Sequence, residues 1–159
     1  MSIELCLKTD VVTISPDQTI RRAALLLVEK RLGTLPVVDD KHRLVGLLTQ
    51  ADLINLVMPD FINLIDQIDF VRDFGALENA KPQVAMLDRP VSTVMSKPIA
   101  IERTGGLLRA YAELGRRDLL DLPVIDEQGV LVGLASQVDI GVTFLTRWLA
   151  QLDPADQST

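Results

Sequence analysis

Residues 46–52 read GLLTQAD, and residues 133–139 read GLASQVD. A glycine, a hydroxyl residue and an aspartate recur at one spacing, as Gly46, Thr49 and Asp52 and again as Gly133, Ser136 and Asp139. The step from Gly46 to Gly133, 87 residues, holds without a gap from residues 11–52 onto 98–139. TLPVVD (34–39) meets DLPVID (121–126), and LVGLLTQAD (44–52) meets LVGLASQVD (131–139). Arg22, Ala23 and Leu27 meet Arg109, Ala110 and Leu114. So long an internal match means one structural unit used twice.

The unit reads as β-α-β-β-α. VVTI (11–14) is a short β-branched run that ends at Ser15-Pro16 and predicts a strand. Ile20, Ala23, Ala24, Leu27 and Val28 follow at helical spacing, and Gly33 suits the helix C-terminus. LPVVD and LVGLLT are two further strands, joined by a turn at DDKHR in one copy and DEQG in the other. A helix begins near Thr49. The near-continuous apolar character of LPVV and LVGLL predicts strands covered on both faces. The expected fold class is therefore α/β (α+β): two such repeats with pseudo-twofold symmetry, their three-stranded, mainly buried sheets packed with helices. Each unit alone buries little, and two would share a core.

The chain divides on this reading into repeat 1 (1–58), a helical connector (59–90), repeat 2 (91–152) and a flexible tail (153–159). In the connector, Phe61, Leu64, Ile65, Ile68 and Val71 form one helical stripe between Pro59 and Gly75. Such a helix covers the core or offers a partner surface.

Composition narrows the function. Of 159 residues, 48% are apolar and only 4% aromatic, so the core is built from Leu, Val, Ile and Ala. A formal net charge of −6 disfavours a nucleic-acid partner. The single cysteine, Cys6, gives no internal disulfide framework and suits a reducing compartment. No apolar run is long enough for membrane insertion, and MSIELCLKTD lacks the pattern of a signal peptide. A cytoplasmic location is expected. The lone His42 falls in a turn, no zinc cluster or phosphate-binding Gly-Lys loop is present, and no acid/base pair stands out. No catalytic residue, metal or required cofactor is expected, and the chain does not read as an enzyme.

Thr49-x-x-Asp52 and Ser136-x-x-Asp139 have the form of a helix capping box, in which the hydroxyl and the acid satisfy backbone N–H groups reciprocally. That alone could explain both copies.

The whole pattern, in its order, spacing and duplication, resembles the cystathionine-β-synthase (CBS) domain family, and two tandem copies resemble a Bateman module. The resemblance implies adenosine-containing ligands (AMP, ADP, ATP or S-adenosylmethionine) held in clefts between the repeats. It also implies a regulated partner protein, and a homodimer formed through helices. By position in the family pattern, Asp52 and Asp139 would accept from ribose hydroxyls, with Thr49 and Ser136 beside the ribose or phosphate. Adenine would lie against Val12, Thr13, Thr34, Leu35 and Pro36 in one site, and against Ile99, Ala100, Asp121, Leu122 and Pro123 in the other. A carboxylate chelates a cis-diol well, and an apolar slot with backbone groups suits a purine.

The chain departs from the family where phosphate is bound. Gly33-Thr34 and Leu120-Asp121 precede the Leu-Pro pairs, and Ala51 and Val138 precede the aspartates; none is basic. Asp121 would repel a phosphate. Lys30, Arg31, Arg116 and Arg117 are the cations placed to reach across a cleft or to complement a helix C-terminus. Ribose recognition is supported in both copies, phosphate recognition weakly, and the first site looks the better one. The alternative reading is a ligand-free dimerisation or protein-interaction module with caps in place of binding residues.

Overall fold

The order of elements follows the duplicated pattern. A computed structural model describes residues 1–57 and 81–152. The connector stripe at 61–71, its proposed ends at Pro59 and Gly75, and the tail lie outside the described residues. Repeat 1 contains α1 (Ile20–Lys30), β1 (Thr34–Val38), β2 (Leu44–Thr49) and α2 (Gln50–Asn55). Repeat 2 contains β3 (Ile101–Glu102), α3 (Leu107–Arg117), β4 (Asp121–Ile125), β5 (Leu131–Ser136) and α4 (Gln137–Gln151).

The two hairpins match residue for residue. β1 pairs antiparallel with β2, Val37 opposite Gly46, and β4 pairs with β5, Val124 opposite Gly133. In each turn one aspartate carboxylate holds the backbone. Asp39 accepts from the N–H groups of Lys41 and Arg43, and Asp126 from those of Gln128 and Val130, all at 2.9 Å. The left-handed turn position is His42 (φ 60°) in the first copy and Gly129 (φ 78°) in the second.

Two expectations need correction. The first strand of repeat 1 shrinks to a single parallel bridge, Ile14 to Val37. In repeat 2 the equivalent ladder continues, because the Arg103 N–H donates to the Ile125 carbonyl at 2.9 Å. The residue equivalent to Arg103 is Pro16, which has no N–H to give, so the sheet of repeat 1 is two-stranded. Nor does Gly33 end α1. The left-handed cap is Arg31 (φ 52°), matched by Asp118 (φ 53°) after α3. Gly33 instead lies against repeat 2, where an added Cβ would stand 3.3 Å from Leu120 Cδ1.

The repeats exchange arms. The 3-10 turn Ile3–Cys6 precedes repeat 1 in sequence, yet Ile3 is fully buried in the core of repeat 2, among Ile101, Leu107, Leu122 and Ile140. The turn Val91–Thr93 precedes repeat 2, yet Val91 is fully buried in the core of repeat 1, with Ile14, Leu27, Leu35 and Leu48. Each arm also adds a backbone bridge to the far edge of the other repeat's sheet. Lys8 and Leu134 exchange two bonds of 2.9 Å, and Leu47 and Ser96 exchange bonds of 3.2 and 2.9 Å. Gly46 and Gly133 make room for this. A Cβ on Gly46 would stand 2.4 Å from Met95 Sδ, and one on Gly133 would stand 2.4 Å from Leu7 Cδ1 and 2.5 Å from the Lys8 carbonyl oxygen.

Equivalent residues meet where the repeats face each other. Arg43 and Val130, which share a position in the repeat, form an antiparallel bridge; the Leu44 N–H donates to the Gly129 carbonyl and the Leu131 N–H to the His42 carbonyl, both at 3.0 Å. Residues related by the repeat pair reciprocally only about a twofold axis, so the symmetry is read directly from these bonds.

Candidate functional site

β2 gives way to α2 at Thr49, whose extended backbone (φ −115°, ψ 163°) makes it the helix N-cap. The capping box is complete. Thr49 Oγ1 accepts from the Asp52 N–H at 3.2 Å, and Asp52 Oδ2 accepts from the Thr49 N–H at 2.7 Å and from the Thr49 hydroxyl at 2.9 Å. All these carboxylate bonds go to Oδ2; among the described residues, Oδ1 takes none. The cap therefore occupies one oxygen of the carboxylate.

A cleft of about 470 Å³ opens beside this helix start, between the repeats. Gly33, Thr34, Thr49, Gln50, Ala51 and Asp52 form the repeat 1 side; Ser96, Ile99 and the segment from Arg117 to Leu120 form the other. Thr34 is buried, and its hydroxyl faces the Asp121 carboxylate, favouring the charged form. Burial pushes the Asp121 carboxyl above its ordinary range, a shift that the Thr34 hydroxyl and the Lys8 charge only partly offset.

The second aspartate has a different neighbour. Lys8, on the arm that crosses to repeat 2, places Nζ 2.8 Å from Asp139 Oδ2, with the lysine side chain 63% and the aspartate 30% exposed. The Ser136 hydroxyl donates to the same oxygen, and Ser136 Oγ accepts from the Asp139 N–H at 3.0 Å. Lys8 first, then Ser136, hold the Asp139 carboxyl below the usual carboxylate range. Asp139 in turn raises the Lys8 ammonium. In the first copy the arm position of Lys8 is filled by Ser96, whose hydroxyl donates to the Leu47 carbonyl at 3.1 Å.

The residues expected from sequence separate on this geometry. Thr34, Thr49 and Asp52 line the first cleft together. Leu35, Pro36, Leu122 and Pro123 are buried in the sheets behind it, and Val12 packs against the repeat 1 core. Thr13 lines a different depression, with Asp17 and Asp39. Ala100 is half-buried. Ile99, grouped from sequence with the second aspartate, lies in the cleft of the first. The reason is the exchanged arm: the chain returns from repeat 1 to β3 past that cleft. Of the four cations singled out, Arg117 lines the cleft, while Arg116 pairs with Glu113 at 2.8 Å. Lys8 and Ser96 were missed. Their signal is an 88-residue spacing between the arms, one residue out of step with the repeat. Among the described residues, no group of His, Cys, Asp and Glu is arranged to hold a metal ion, and no helix is long and apolar enough to cross a membrane.

Two α+β repeats about a twofold axis, with a cleft between them, define a paired-repeat module. The model of the CBS domain family matches residues 3–59, and the second repeat copies the first in sequence and fold. The first repeat is thus matched by the CBS domain family, and the whole chain resembles a tandem CBS pair, a Bateman module. It is 28% identical over 150 residues to the chloroplastic CBS domain-containing protein CBSX1 of Arabidopsis thaliana, covering 84% of this chain and 58% of that protein. It is 27% identical over 131 residues to inosine-5′-monophosphate dehydrogenase of Aquifex aeolicus, covering 81% of this chain and 21% of that enzyme. The chain thus spans little more than half of one relative and about a fifth of the other. Among solved structures, CBSX2 of A. thaliana in complex with AMP matches with a TM-score of 0.70 at 23% identity, over 92% of this chain and 98% of that one. The CBS domain pair of protein MJ0100, solved with 5′-methylthioadenosine and S-adenosyl-L-methionine, matches with a TM-score of 0.67 at 18% identity, over 92% and 98%.

Proposed function

We propose that this chain is a non-catalytic regulatory module. It binds an adenosine-containing ligand, of the AMP, ADP, ATP or S-adenosylmethionine class, in the cleft beside Asp52. Occupancy alters how the repeats sit against each other, and a partner protein reads the change. The observation that carries this reading is the cleft itself: a carboxylate with one oxygen that takes no hydrogen bond among the described residues, beside a hydroxyl and an apolar surface from Ile99, Leu119 and Leu120. The ligands bound by CBSX2 and by the MJ0100 pair support it. A reducing cytoplasm suits the free Cys6 thiol, which packs against the repeat 2 core. A thermal-shift series with AMP, ADP, ATP and S-adenosylmethionine tests the reading. Ligand at 100 times its dissociation constant adds about 2.7 kcal/mol to the folded state. No shift with any of the four would refute it.

A second reading has its own observation. Leu108, Tyr111, Phe144, Leu145 and Trp148 of α3 and α4 border one apolar depression, and Leu108 and Trp148 are 71% and 60% exposed. A patch of this kind suits a ligand-free interaction module, and in either reading it suits a homodimer. Light scattering at micromolar concentration gives twice the chain mass if so.

A further inference from the structure

The first cleft is rich in acceptors and poor in donors. Two of its hydroxyl hydrogens are already committed, Thr49 to Asp52 and Ser96 to the Leu47 carbonyl, and the third hydroxyl, Thr34, faces the Asp121 carboxylate. Three of the amides around the start of α2 are committed too, those of Thr49, Gln50 and Asp52. The Thr49 N–H goes to Asp52, the Gln50 N–H to the Gly33 carbonyl, and the Asp52 N–H to Thr49 Oγ1. The Gln50 side-chain amide donates to the Leu32 carbonyl at 2.9 Å. Among the described residues, the charged groups of the lining are two acids, Asp52 and Asp118, and one base, Arg117. That base is itself drawn toward Glu113, with Nε 3.7 Å from Oε2. A third carboxylate stands just behind the wall, where a Cβ on Gly33 would lie 4.0 Å from Asp121 Oδ2.

A phosphate needs donors and positive charge; a ribose diol and a cationic or neutral 5′ substituent need acceptors. Resting on the reading that this cleft holds adenosine, we infer that it selects adenosine derivatives with no phosphate at C5′, a neutral thioether or a cationic sulfonium nucleoside, against nucleotides. The other copy is more basic. At the positions equivalent to Ser96, Arg117 and Asp118 it carries Lys8, Lys30 and Arg31. Nucleotide binding there has to be kept apart from binding at Asp52.

Calorimetric titration of the full chain with adenosine, 5′-methylthioadenosine, S-adenosyl-L-methionine and AMP makes the test, with Asp52→Asn defining the binding that belongs to this cleft. Asp52-dependent binding of the three phosphate-free probes is expected to exceed that of AMP by about tenfold or more. Asp118→Asn, which a left-handed position tolerates, should narrow that gap by about threefold. Asp52-dependent AMP binding as tight as that of adenosine overturns the inference and leaves the proposed function standing. Binding of the phosphate-free probes that survives Asp52→Asn overturns it too, by placing them elsewhere. No binding by any of the four removes both.

Discussion

Thr34 and Asp121 stand at the same position of the two repeats, and the Thr34 hydroxyl faces the Asp121 carboxylate and favours its charged form. The copies have diverged at the place where symmetry makes them touch. One supplies a buried hydroxyl, the other a partly buried acid, and the two meet beside the cleft.

That acid sets a pH dependence. Burial raises the folded-state pKa of Asp121, so its protonated form favours folding. Its contribution is fullest below the unfolded value, near 4, and is lost as pH rises through the folded value, so the ionised group costs stability at pH 7. Asp121→Asn keeps an acceptor for Thr34 and removes the charge. Its melting temperature should exceed that of the parent at pH 7, and the gap should close by about pH 4. A variant less stable than the parent at pH 7 would show the carboxylate to be needed as a charge.

Lys8 and Asp139 give the opposite sign. A depressed aspartate contributes stability above its unfolded pKa and loses it as pH falls through the folded one. The pair is well exposed, so Lys8→Met should cost about 1 kcal/mol or less at pH 7. In denaturant titrations that difference should vanish in acid, once Asp139 is protonated.

Asp52→Asn separates the cap from the ligand site. As a cap, asparagine serves nearly as well as aspartate, so unfolding free energy should fall by about 1 kcal/mol or less. Loss of a charged acceptor for ribose should weaken an adenosine ligand by about tenfold or more. Calorimetry on a variant of unchanged fold measures both, and equal affinities would leave Asp52 a helix cap only.

The exchanged arms predict where damage appears. Ile3→Ala should cost about 2–5 kcal/mol, as for other buried isoleucines. Its effect on amide hydrogen exchange should fall on β4 and β5, far away in sequence, before β1 and β2. Faster exchange confined to repeat 1 would contradict the packing.

Gly133→Ala should be worse than Gly46→Ala. The new methyl meets the Lys8 carbonyl backbone at 2.5 Å in one case and the flexible end of Met95 in the other. Thermal denaturation of the two variants should rank them in that order, with Gly133→Ala costing on the order of 1–3 kcal/mol.

Much of this was legible in the sequence. The duplicated TLPVVD and LVGLLTQAD runs gave the hairpins in register, and the hydroxyl-to-aspartate spacing gave both helix starts. Periodicity failed where a long-range partner decides. VVTI has the residues of a strand, but Pro16 ends its ladder after Ile14. Gly33 looked like a cap because glycine suits left-handed backbone, whereas Arg31 bears that conformation and Gly33 serves close packing. Lys8 was invisible as a neighbour of Asp139, since no local pattern tells a chain to cross to its other half.

The arms also constrain how the protein is made. A ribosome delivers roughly 5–20 residues each second, N-terminus first. Repeat 1 is complete in sequence by Asn55, yet Val91, which fills its core, is synthesised later. Until then the nascent half has an open apolar seat, while Ile3, already outside, waits for a repeat that does not yet exist. Cutting the gene between the halves would yield two fragments, each holding a core residue of the other.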